Sequence, residues 1–357
     1  MNQKRLKKVI DQMQKEGLSQ ILVTAAPSVY YLTGIWVEPF ERMFALYLRD
    51  DGTAKLFGNE LFCLRPQEGL ELILHKDGEN PVAGLSAALR PGKIGIDKTW
   101  KAGFLIGLLQ SRSDLTPVEG SAPVDLARMR KDEEEIEAMR HASRINDRVM
   151  AAAVGMVREG ARENEIALAV QNLYAQNGGD HSPEIEIASF GANAADPHHE
   201  PSDTVLKDGD CVVLDLFNPI RRYWCDMTRT VFFRSAGARQ REVYDAVKRA
   251  NLAAETFIRP GVPMSEIDRA ARSVLEQAGY GKYFTHRLGH GCGLDCHESP
   301  DNGPSCGVIA RPGMVFSVEP GAYLPGEFGV RIEDLVLVTD SGCEVLNRYT
   351  KDLTVIS

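Results

Sequence analysis

Hydrophobic positions at the start of the chain repeat at helical spacing. Leu6, Val9, Ile10 and Met13 share one face, which predicts a helix over 3–16 that ends near Gly17. The period then changes. QILVT (20–24) is an apolar run of strand length, and MFALYLR (43–49), Asp51-Gly52 and AKLFG (54–58) read as a β-hairpin. LELIL (70–74) and KIGID (93–97) are further strands, with helices near 81–89 and 101–111. Mixed periods of this kind predict a small α/β domain over 1–125. The charged run LARMRKDEEEIEAMR (126–140) reads as a solvated helix face that opens a second domain over 126–357.

That second domain contains a repeat. A shift of 101 residues lays Gly160 on Gly261, Glu165 on Glu266, Ile166 on Ile267, Ala169 on Ala270, Gln176 on Gln277 and Gly178 on Gly279. Each copy is an amphipathic helix between two glycines, preceded by another helix (about 134–157 and 239–257) and followed by strand-like segments. Two such halves would pack about a pseudo-twofold axis with a site at their junction.

Composition narrows the function. The chain has 357 residues, 41 Lys+Arg against 50 Asp+Glu, and a formal net charge of −9. An acidic balance disfavours nucleic acid and anionic membrane as partners. No apolar run approaches 18 residues and no apolar stretch follows the basic start, so neither a membrane span nor a secretory signal is expected. Seven scattered cysteines read as free thiols, and the expected location is the cytoplasm.

Three segments carry chemistry. In CVVLDLFNPIRRYWCDMTRTVFF (211–233), Asp215 ends one apolar run and Asp226 begins the next, eleven residues on. In a hairpin they would sit side by side at one end of the strand pair, where like charges demand a cation between them; the alternative is two turn residues. In HRLGHGCGLDCHESP (286–300), three alternating glycines set His290 on a tight strand as an exposed imidazole, followed by His297 and Glu298. A structural zinc site of His290, Cys292, Cys296 and His297 competes with that reading, although no paired Cys-x-x-Cys is present, and the two thiols also suit small buried hydrophobes. In MVFSVEPGAYLPGEFGVRIEDLVLV (314–338), Glu319 and Glu333 lie in apolar runs fourteen residues apart and repeat the two-carboxylate hairpin. Arg331 stands ready to pair with one of them. Four carboxylates and one imidazole are too many oxygens for a tetrahedral zinc and suit two divalent ions: Mn²⁺ or Co²⁺, with Zn²⁺ or Fe²⁺ as alternatives.

The order Asp-x10-Asp, His-Gly-x-Gly, Glu-Pro-Gly, Arg-Ile-Glu-Asp resembles the pita-bread metallopeptidases, the family of methionine aminopeptidase, Xaa-Pro aminopeptidase, prolidase and creatinase. The likeness runs from about 130 to the end, and residues 1–125 look like the creatinase-type N-terminal domain of the Xaa-Pro branch. It implies a pseudo-twofold catalytic domain with a curved antiparallel sheet flanked by helices. Asp215, Asp226, His290, Glu319 and Glu333 become metal ligands, with Glu319 also moving a proton. The loop SFGANAADPHHEPSD (189–203) gains a meaning too: His198, with His297, would line the substrate side, with Arg331 near the substrate and His199 behind or exposed.

The implied activity is an Xaa-Pro dipeptidase. An Xaa-Pro aminopeptidase on longer peptides and a metal-dependent amide hydrolase for a small non-peptide substrate are the alternatives. An intact ligand set argues against a binding module that merely reuses the fold. The loop GIWVEPFERMF (34–44), with Trp36, Phe40 and Phe44, would reach a neighbouring subunit in a homodimer. The segment after Glu298, Arg221-Arg222 and the two loop cysteines depart from the pattern and bear on the substrate pocket, not on the ligands.

Overall fold

The computed structural model describes residues 1–357 as two compact units, Met1–Arg128 and Met129–Ser357. The first is a six-stranded mixed sheet in the order Glu71–His75, Ala54–Asn59, Ala45–Arg49, Gln20–Val23, Gly92–Ile96, Leu115–Glu119. Its first helix, Gln3–Lys15, is capped by Asn2, whose side chain accepts from the Arg5 N–H, and it buries Leu6, Val9 and Met13. The helix Ala26–Thr33 escapes the periodicity reading because it is short and buried on most of its circumference, Ser28 and Thr33 included. Its markers are Pro27 in the first turn and a left-handed Gly34 at its end (φ 71°). In the loop that follows, Phe40 is 74% exposed. Phe44, in contrast, packs edge-on against Phe62 inside the unit and adds nothing to the loop's surface.

The second unit opens with helix Glu133–Val154, whose capping box pairs Asp132 with Glu135. The charged run is therefore not a plain solvated face: Arg128, Lys131 and Glu135 are buried, and Lys131 Nζ lies 2.7 Å from Glu298 Oε1. The repeat is visible in the backbone. Helices Glu163–Gln176 and Met264–Gln277 share the 101-residue offset, and both bounding glycine pairs adopt positive φ, 76° and 91° at Gly160 and Gly261, 84° and 83° at Gly178 and Gly279. Positive φ costs little at glycine, so both copies end their helices in the same way.

Each helix pair covers its own sheet and core. One sheet places Ile187–Phe190, Cys211–Ile220 and Tyr223–Phe233 side by side, with Val355–Ile356 added in parallel at the edge. The other runs Glu298–Asn302, Gly289–Gly291, Val315–Val318, Asp334–Val338, Cys343–Val345 and is antiparallel throughout. All seven cysteines are free thiols, and no helix is long and apolar enough to cross a membrane.

One residue of this core works against stability. Glu186 is 1% exposed, neither carboxylate oxygen has a hydrogen-bond partner, and burial pushes its pKa up to about 7. Below the unfolded-state value both states are protonated and no cost arises. As pH rises to about 7 the unfolded chain ionises first, and stability drains away. We expect Glu186→Gln to match the parent at pH 4 and to exceed it by up to about 3 kcal/mol at pH 8. Denaturant midpoints at the two pH values check this, and equal differences at both would refute it.

Candidate metal centre

The aspartate strands pair Asp215 with Thr228 and Phe217 with Asp226. Two-residue periodicity then puts both aspartates on one face as diagonal neighbours. They sit in mid-hairpin, not at its end, and neither is a turn residue. The glutamates come from the other half. Val318 pairs with Asp334, so Glu319 and Glu333 lie at the next step beyond the paired strands. The two halves meet where Thr228 Oγ1 donates to Glu333 Oε2 at 2.6 Å and the Glu333 N–H donates to the Thr228 carbonyl.

Glycine density around His290 has a local cause at each position. A Cβ at Gly289 would lie 2.2 Å from the Ser317 carbonyl oxygen, one at Gly291 2.4 Å from that of Ser299, and one at Gly293 2.7 Å from the Glu298 carboxylate. At Gly289 and Gly291 the obstacle is backbone, so only glycine lets these strands close so tightly. His290 is consequently buried, 4% exposed, where the sequence suggested an exposed ring. Its Nδ1 contacts the Gly291 carbonyl at 3.1 Å, which fixes that nitrogen as the donor and leaves the Nε2 lone pair facing Glu319 Oε1 (3.4 Å) and Asp226 Oδ2 (3.7 Å).

The donor set fits divalent cations. One ligand atom each from Asp226, His290 and Glu333 lies within 4.8 Å of the other two, and Asp215 Oδ1 is buried without a hydrogen-bond partner. Burial first, then the neighbouring carboxylates, pushes Asp226 and Glu333 well above the usual carboxylate range, and burial raises Glu319. Like-charged carboxylates this close and this buried call for cations among them, and divalent metal ions would supply that charge. The cysteine alternative does not form. Cys292 and Cys296 are buried, Cys292 Sγ faces the Trp224 carbonyl, and Cys296 Sγ lies 3.6 Å from Asp226 Oδ2.

A cavity of about 490 Å³ opens onto the cluster and is lined by all eight residues singled out from the sequence: Asp215, Asp226, His290, Glu319, Glu333, His198, His297 and Arg331. Arg331 does not pair with a glutamate. It donates to Asp215 Oδ2 (2.7 Å), Thr228 Oγ1, the Tyr323 hydroxyl and the Pro197 carbonyl. The His297 ring lies 4.0 Å from that of His290, and burial, with His290 beside it, pushes His297 down to about 4, so it is uncharged at neutral pH. His199 is half-buried and bonded to Glu163. The sequence reading missed His286, whose Nε2 meets the Tyr323 hydroxyl at 2.9 Å, together with Arg287, Glu184 and Phe217 on the cavity wall. His286 carried a signal, since it stands four residues before His290 in the glycine-rich segment.

The model of metallopeptidase family M24 matches residues 137–340, and that of the creatinase/prolidase N-terminal domain matches 5–130. An uncharacterized peptidase of Staphylococcus aureus (strain MSSA476) is 34% identical over 355 residues, 97% of this chain and 99% of the relative. Among solved structures, a dipeptidase from Pyrococcus horikoshii OT3 is 34% identical with a TM-score of 0.92, covering 99% of this chain and 100% of its own. A prolidase from Thermococcus sibiricus is 33% identical with a TM-score of 0.94 and covers both chains fully.

Proposed function

The chain belongs to metallopeptidase family M24, and from that premise we propose that it is an Xaa-Pro dipeptidase working with two divalent cations, Mn²⁺ or Co²⁺. The observation that carries the reading is the convergence of Asp215, Asp226, His290, Glu319 and Glu333 on one cavity that also holds further imidazoles and guanidinium groups. Bound there, the cations supply Lewis acidity, acidifying water and polarising a carbonyl.

The chain's own groups do the rest. Glu319 accepts a hydrogen bond from Ser317 Oγ at 3.0 Å, which steadies one oxygen, and a carboxylate so held can take a proton and pass it to the leaving nitrogen. His297 and His198 face the cavity as donors for the oxygen that gains charge. The bond before proline has no N–H, so a site that reads only the carbonyl suits it. Arg331 has protein acceptors for four of its five N–H groups and acts through its charge. Arg287 commits Nη1 to Asp301, is 40% exposed, and can hold the substrate carboxylate. That second cation favours a dipeptidase over an aminopeptidase.

Hydrolysis of Gly-Pro and Ala-Pro by protein supplied with Mn²⁺ or Co²⁺ tests the reading. Cleavage of Ala-Pro-Ala alone would make it an aminopeptidase, and cleavage of neither would end it. His297→Ala should lower turnover on the order of 10²–10³-fold, as for other lost oxyanion donors. Near-parental turnover with full metal content would remove His297 from the reaction. The proposal includes a homodimer, supported by the exposed Phe40 on the loop after Gly34. A monomer in light scattering at micromolar concentration would exclude it.

A further inference from the structure

The loop that carries His198 hangs from one buried carboxylate outside the cavity. Glu163 opens the helix Glu163–Gln176, which packs into the core through Ile166, Val170 and Tyr174, and its side chain has no exposed surface. Oε1 accepts from the Phe190 N–H at 2.7 Å and from Asn193 Nδ2 at 3.0 Å. Oε2 meets His199 Nε2 at 2.9 Å and accepts from the Ser202 N–H at 3.0 Å and the Ser202 hydroxyl at 2.7 Å. One oxygen thus holds the start of the loop 190–202, and the other holds its end. Burial alone would raise the Glu163 carboxyl, but these hydrogen bonds outweigh it and keep the pKa below the usual range. The group is a carboxylate, so His199 Nε2 is the donor.

His198 stands between two pinned neighbours. The Pro197 carbonyl accepts from Arg331 Nη1 at 3.2 Å, and the His199 ring is tied to Glu163. From Pro197 to Pro201 the backbone belongs to no helix or strand, so side-chain bonds have to fix it. The duplicated helix offers no such group: the 101-residue offset puts the buried Met264 where Glu163 stands. The anchor belongs to the half whose loop carries His198.

We propose that Glu163 is a positioning residue, holding the loop 190–202 so that His198 is presented to the cavity. The inference rests on the peptidase reading above for what His198 does, and adds what keeps it in place.

Glu163→Gln must release one end of the loop, because an amide has one acceptor oxygen and turns N–H groups toward the other donors. Hydrogen exchange read by mass spectrometry should quicken at least tenfold across 190–202 and stay parental in strands Cys211–Ile220 and Tyr223–Phe233. In protein supplied with Mn²⁺, the same change should lower kcat at least tenfold on whichever of Ala-Pro and Ala-Pro-Ala the parent cleaves. Made in the His198→Ala background, it should cost less than twofold. His199→Leu should reproduce part of the loss, and His199→Gln, which keeps an N–H for Oε2, should restore it.

Exchange that is unchanged in the loop, or that quickens equally throughout the catalytic unit, overturns the proposal. So does an equal loss of kcat in both backgrounds, or a His199→Gln variant no better than His199→Leu. Should Glu163→Gln fail to fold, the His199 pair carries the same measurements at a half-buried position. If no peptide is cleaved, the peptidase reading fails on its own, and the exchange pattern decides whether Glu163 holds the loop.

Discussion

Glu319→Gln should reduce turnover by about 10⁴-fold while the protein folds at least as well as its parent. Glu319 adjoins the strand Val315–Val318, reaches within 3.4 Å of His290 Nε2, and is held by Ser317 Oγ. An amide keeps the shape and one acceptor oxygen but cannot take a proton, so ligation weakens and proton transfer stops. Stability should move the other way. Burial raises the pKa of the Glu319 carboxyl, so the metal-free fold bears a cost at neutral pH that a neutral side chain removes. The measurement is kcat on Ala-Pro alongside metal content and the thermal midpoint. Turnover within tenfold of the parent at full metal content would strip Glu319 of its role, and a large fall in the midpoint would recast the loss as misfolding.

Arg229→Met should destabilise the catalytic unit by about 3–5 kcal/mol. The guanidinium is almost wholly buried. It lies 2.8 Å from Asp334 Oδ1 and donates to the Glu333 carbonyl at 2.6 Å and to the Thr228, Tyr349 and Thr350 carbonyls. Methionine fills much of the volume but leaves those carbonyls without a donor and Asp334 with Lys351 as its remaining cation, at 2.8 Å. The same change frees the backbone that aims Glu333, so Mn²⁺ affinity should fall at least tenfold along with stability. Adding Asp334→Asn should recover part of the stability and little of the affinity. Urea midpoints and calorimetric titration with Mn²⁺ separate the two effects. A stability loss under about 1 kcal/mol would mean that the buried pair is not what joins the halves.

Legibility varied with the range of the interaction. Helix Gln3–Lys15 and the hairpin Ala45–Arg49 with Ala54–Asn59 were readable because their signals are local: a 3.6-residue stripe, and a two-residue period around Asp-Gly. Helix Ala26–Thr33 and strand Leu115–Glu119 were not. The first is buried on most sides with Ser28 and Thr33 among its buried residues, and the second keeps only Leu115 buried, so neither shows a period. The candidate site was legible as residue types and spacings, including the match between the two carboxylate pairs, since like charges in apolar runs need an external cation wherever they fold.

Its internal partnerships were not legible. Arg331 turns to Asp215, 116 residues away, instead of a nearby glutamate, and His290 is buried rather than open. Glu184 joins the cavity from the segment just before the strand Ile187–Phe190.

The sequence by itself determined the period of each element, the duplicated helix with its bounding glycines, and the chemical types that bear on catalysis. These depend on neighbours within a few residues, or on charge, which travels with the residue. The tertiary structure alone decided which carboxylate the Arg331 guanidinium meets and which imidazole loses its solvent. Those outcomes depend on distance and desolvation, and a strand's period states only which face a side chain occupies, never what is packed against that face.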